Sequence, residues 1–165
     1  MKLATLEYLE EAKQRSNVDP KYLELAKGNN ESYTLVLEPD PAQGVTSTTI
    51  IGFDNLEGKM NNLWEGQQPT LFTLSGSYGV WVDILRGKMG ATKAITMRKL
   101  KTHGPFLQLL SGSKRIIRWV EILRTIPTEF EGTYAQYNLP GGSLPTEEAL
   151  VEVESDRASD EPSDM

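Results

Sequence analysis

The hydrophobic period of this chain changes twice along its length, and those changes constrain its fold more than any other feature. Up to Gly28 apolar residues recur at three- and four-residue spacing, from Ser32 they alternate, and after Leu74 the helical spacing returns. Helical ends around a run of short strands specify an α+β chain.

Residues 3–16 place Leu6, Leu9 and Ala12 on one stripe, with Glu10, Glu11, Lys13 and Gln14 elsewhere, which predicts a surface helix with one buried face. Asp19 can cap a second helix and Pro20 fits its first turn, while Gly28 stops it. In the alternating part, Tyr33, Leu35 and Leu37 share one side of a strand. Pro39, Pro41 and Gly44 mark a turn before a β-branched second strand over 45–53. Residues 59–65 and 69–74 supply a third and a fourth. Four short strands at this spacing predict an antiparallel meander.

Beyond Leu74, Ser75 or Ser77 can cap a helix bearing Trp81, Ile84, Leu85 and Met89, closed by Gly87 and Gly90. A helical turn over 91–97 leads into a fifth strand over 98–103. Pro105 opens another helix, and Ser113 caps a last one over 114–126. That last helix is apolar around most of its circumference, through Ile116, Ile117, Trp119, Val120, Ile122 and Leu123. Such a helix docks deep against a sheet, or sets one side on the core and turns another to a lipid ligand or a membrane.

Residue usage narrows the chemistry. The 165 residues include no Cys and one His, so thiolate nucleophiles, Cys-ligated metals and multi-His sites are excluded. A serine triad would have to pass through His103, and no nucleophile elbow, phosphate loop or metal cluster is legible. No catalytic residue, cofactor or metal is therefore expected, and the chain reads as a non-enzyme. A cysteine-free chain without a membrane-length apolar run or signal peptide is expected in the cytoplasm.

The net charge of -6 argues against nucleic acid as a partner, but the charge is unevenly spread. Residues 86–124 hold ten basic side chains against the single acid Glu121, a net +9. Residues 140–165 hold eight acids against Arg157, a net -7, which leaves the remaining body at +1. The tail has no apolar period and should be disordered, giving a domain over 1–135 and an acidic tail over 136–165.

The run from Leu74 through Tyr78, Trp81, Asp83, Gly87-Lys88-Met89, Ala94 and Lys99-Leu100 to Gly104 resembles the C-terminal half of the sterol carrier protein type two domain. The upstream strands and the ending Ile126-Pro127-Thr128-Glu129-Phe130 look like its stand-alone prokaryotic members. Arg98 stands where that family has Gly before Lys99, and Gly90-Ala91 replaces an Asp-Pro. The resemblance implies a five-stranded, mainly antiparallel sheet with helices on one face, enclosing an apolar cavity for a fatty acid, acyl-CoA, sterol or phospholipid.

Wall material for such a cavity is present in Phe53, Trp64, Phe72, Trp81, Leu85, Met89, Ile95, Met97, Phe106, Leu110, Trp119 and Leu123. Each would serve equally as plain core. Lys88, Lys99, Lys114 and Arg115 are the cations expected to meet a head group or an anionic membrane surface. Two other readings stay open: an interaction scaffold with a filled core, and an accessory domain of a lipid-metabolising enzyme.

Overall fold

The structure, a computed structural model, describes residues 1–143. Helix α1 (Leu6–Ser16) begins at Thr5, whose side chain accepts from the Tyr8 amide, and α2 (Pro20–Leu25) begins at Asp19, which accepts from the Tyr22 amide. Both starts follow from short polar caps at the edge of an apolar period. Strands β1 (Ser32–Glu38), β2 (Thr49–Leu56), β3 (Lys59–Glu65), β4 (Phe72–Ser77) and β5 (Lys101–His103) form one sheet in the order β3-β2-β1-β4-β5. Between β4 and β5 lie α3 (Tyr78–Leu85), capped by Ser77, and α4 (Ala91–Thr96); α5 (Phe106–Ser111) and α6 (Ser113–Leu123) follow.

The expected meander is correct only for β1, β2 and β3. The chain then crosses to the other edge of β1, where β4 pairs parallel, Tyr33 opposite Phe72 and Leu35 opposite Leu74. Polar side chains of β1 fasten this crossover: Ser32 Oγ accepts from the Leu71 amide at 2.8 Å, and Thr34 Oγ1 bonds Thr70 Oγ1 at 2.8 Å. Alternation identifies a strand but does not name its neighbour, so the polar side of β1 did not reveal the crossover.

Several boundaries also move. Asp40 and Val45 bridge across a turn at Pro41–Gln43, which delays the second strand to Thr49. Pro69 lies in the crossover, so β4 runs on to Ser77, and the fifth strand shortens to Lys101–His103.

One face of the sheet presents Tyr33, Leu35, Leu37, Ile51, Phe53, Phe72 and Leu74, all buried in one core with Tyr8 and Leu9 of α1, Val82 of α3, Ile95 of α4 and Val120 of α6. Buried apolar area at about 25 cal/mol per Å² is the main favourable term here. After α6 the chain returns along the N-terminus, with Lys2 bridged to Glu129 and Thr128 to Leu139. Tyr137 and Leu139 pack on the core, and the Gly142 amide donates to Thr125 O at 3.1 Å. These contacts lie beyond the boundary expected at 135. Of the acidic tail expected over 136–165, residues 144–165 lie outside the described residues.

Candidate functional site

An apolar cavity of about 60 Å³ lies between the core face of the sheet and helices α3, α4 and α6. The strands supply Leu35, Phe53 and Leu74 as its floor, and the helices supply Trp81, Ile84, Ala91, Ile95, Ile116, Trp119 and Val120. Aromatic contacts fix the floor: Tyr33 stacks on Phe53 at 5.1 Å and on Phe72 at 5.5 Å, while Phe53 meets Trp119 at 5.0 Å. Both indole N–H groups are satisfied, Trp81 on Val36 O at 3.0 Å and Trp119 on Met60 Sδ at 3.4 Å. Their apolar surfaces can therefore line a cavity without an orphaned donor.

Of the residues expected in the wall, the structure brings Phe53, Trp81, Ile95 and Trp119 together. Phe72, Leu85 and Leu123 are buried in the surrounding core, and Met89 and Leu110 pack on it part-exposed. Met97 and Phe106 are surface residues, 50% and 43% exposed. Trp64 lies on the far face of the sheet: it pairs with Gly52, where a Cβ would collide with its indole ring. Its neighbour Leu63 is the β3 residue that packs on the core.

Sequence reasoning missed the small and strand-borne lining residues, among them Leu35, Leu74 and Ala91. For Leu35 the signal was its shared parity with Tyr33 and Leu37 along β1.

One end of the cavity is polar, formed by Tyr22, Tyr33, Asn55 and Arg115. Arg115 is the charged member of the wall; Lys88, Lys99 and Lys114, the other cations expected near a head group, are exposed and line no part of it. Arg115 Nη2 donates to Glu31 Oε1 at 2.7 Å and to Tyr33 Oη at 3.0 Å. Burial favours the neutral form of Glu31, but the Tyr33, Asn29 and Gln108 hydrogen bonds and the Arg115 charge outweigh it and hold the carboxyl below its usual range. Burial pushes the Tyr22 hydroxyl up to about 12 and the Tyr33 hydroxyl higher still, so both stay protonated donors at neutral pH. Such a wall can desolvate a chain and hold one polar head.

His103 sits exposed at the end of β5. Among the described residues no group of three or more His, Asp or Glu could hold a metal ion, and no helix is long and apolar enough to cross a membrane.

The chain matches the model of the SCP-2 sterol transfer family over residues 9–111. A comparison with curated proteins finds no significant match. Among solved structures, the crystal structure of sterol carrier protein 2 is similar at TM-score 0.68 and 18% identity, over 76% of this chain and 99% of that one. A conserved hypothetical protein from Thermus thermophilus is similar at TM-score 0.65 and 19% identity, over 75% and 89%. The apo form of sterol carrier protein 2 from Yarrowia lipolytica follows at TM-score 0.51 and 15% identity, over 73% and 90%. At these identities the structures establish the fold, while the family model covers more than half of the sequence, and on that ground the chain belongs to the SCP-2 sterol transfer family.

Proposed function

We propose that this protein is a non-catalytic, cytoplasmic lipid carrier that shelters the chain of an amphipathic ligand between the sheet and its C-terminal helices. Family membership supports lipid binding in general. The observation that carries the finer reading is an apolar cavity whose one charged lining side chain, Arg115, stands among polar neighbours at a single end. An acyl chain gains about 0.8 kcal/mol per buried CH₂, ample gross driving force without any reacting group.

The volume sets a condition on this reading. A cavity of about 150 Å³ holds a benzene molecule, so a space of about 60 Å³ must widen before it takes a long chain. Parting α4 and α6 from the floor would do so. The exposed Phe106 and Leu107 of α5 and the exposed Lys99 and Lys114 would then meet an anionic bilayer during delivery.

The same small volume favours one competing reading, an interaction scaffold whose core stays filled. Lipid extraction of the purified protein followed by mass spectrometry, with uptake of an acyl probe by the stripped protein, separates the two. Bound lipid or uptake supports the carrier; neither one supports the scaffold and sinks the carrier.

A further inference from the structure

Glu31 is held as a ligand is held. Its Oε1 accepts from Arg115 Nη2 at 2.7 Å and from Tyr33 Oη at 2.5 Å, and its Oε2 accepts from Gln108 Nε2 at 2.7 Å. Donors from β1, α5 and α6 thus converge on both oxygens of one carboxylate. Arg115 and Tyr33 line the cavity, whereas Glu31 reaches them from outside its wall.

The Arg115 and Glu31 side chains are only 12% and 11% exposed, so their charge-assisted hydrogen bond is sheltered from water. A Cβ at Gly112 would stand 2.5 Å from Arg115 Nη2, and the missing side chain there leaves the guanidinium its place beside the cavity.

We propose that Arg115 and Tyr33 form a carboxylate site at the polar end of the cavity, occupied in this structure by Glu31 and taken over on loading by the head group of a single-chain fatty acid. This rests on the lipid-binding reading above and adds a head-group preference to it.

The exchange makes recognition and opening one event. Glu31 immediately precedes β1, and its partners Gln108 and Arg115 stand on α5 and α6, so its bonds fasten both helices to the sheet. An incoming carboxylate replaces Glu31 on Arg115, keeps the cation paired and lets that fastening go. An alcohol head that breaks the same bonds offers the guanidinium a neutral acceptor and leaves its charge without a counter-charge. The site therefore selects a carboxylate over an alcohol of equal chain length.

Equilibrium dialysis of the delipidated full chain against radiolabelled dodecanoate and dodecanol tests this. The wild type should bind dodecanoate about tenfold more tightly than dodecanol, a difference of about 1.4 kcal/mol. Arg115→Gln should bring that ratio to about one, and Glu31→Gln, which removes the internal competitor, should raise it by a further factor of about ten. Should Glu31→Gln fail to fold, Gln108→Ala at an exposed position loosens the same fastening and should strengthen binding of both ligands. Equal binding of the two ligands by the wild type, or a ratio unmoved in Arg115→Gln, overturns the exchange and leaves lipid binding standing. Binding of neither ligand overturns the lipid-binding reading itself.

Discussion

The Arg118 guanidinium grips the Asp19 carboxylate with two hydrogen bonds, Nε to Oδ2 at 2.8 Å and Nη2 to Oδ1 at 2.7 Å, and both residues are buried. Asp19 also caps α2, so one carboxylate ties the start of that helix to the middle of α6. Removing one partner of a buried pair leaves the other charge uncompensated. Arg118→Ala should therefore destabilise by about 3–5 kcal/mol in urea unfolding. The double variant Asp19→Asn, Arg118→Met keeps a cap and removes both charges, and should recover most of that loss.

The same pair sets an acid limit. Burial alone would raise the Asp19 carboxyl, but the Arg118 hydrogen bonds, the Tyr22 amide and the nearby Arg118 and Lys21 charges hold it below the usual carboxylate range. A carboxyl depressed on folding adds stability above its unfolded pKa and loses it as pH falls through the folded value. Glu31 is depressed as well. The urea midpoint should therefore fall as the pH drops below about 4. In Asp19→Asn the fall should be shallower, with Glu31 supplying what remains.

Arg98 follows the C-terminus of α4 with φ of 60°, in the left-handed region. That position suits glycine, and a non-glycine residue there costs about 1–2 kcal/mol. The Arg98 side chain is exposed. Arg98→Gly should stabilise by about 1 kcal/mol, or roughly 2–4 °C in Tm, after the entropy lost by glycine is allowed for. Calorimetry showing no gain would mean the strain is relieved elsewhere.

Ala91 lines the cavity at the start of α4 and is buried. Ala91→Leu places a side chain in the void and suits a helix. Stability should change by no more than about 1–3 kcal/mol, while uptake of an acyl probe is lost. Undiminished uptake by a folded Ala91→Leu protein would remove this cavity from consideration. Leu123→Asp is a poorer test, because Leu123 belongs to the core and its loss would unfold the chain.

Leu107 is 82% exposed on α5. Leu107→Asp should leave the unfolding curve in place and weaken sedimentation with anionic vesicles, by lost apolar insertion and added repulsion. Unchanged sedimentation would put the bilayer contact elsewhere.

How much of this was legible in the sequence depends on the physics each feature obeys. Caps at Asp19 and Ser77 and the shared side of Tyr33, Leu35 and Leu37 are local rules, and they were readable. The site was less so. Trp64 looked like wall material by size and shares the parity of the buried Met60, yet the register shift between Phe53 and Asn55 breaks the alternation, so Met60 and Leu63 both pack on the core and Gly52 across the strand makes room for the indole on the other side. Met97 and Phe106 were apolar at plausible positions but lie on the surface. Glu31 carried no sequence signal at all, since its partners Tyr33, Gln108 and Arg115 meet it only after the chain has folded back on the sheet.

The parallel pairing of β1 with β4 also governs the order in which the molecule can assemble. Strands β1 to β3 join through short connections and can zip locally, but pairing Tyr33 with Phe72 must close a loop that contains the whole meander. Closing that loop is entropically uphill until the contacts are made, which slows folding. The floor of the cavity is therefore a late product of folding, and a nascent chain that stalls before β4 leaves the edge of β1 open to pair with another molecule.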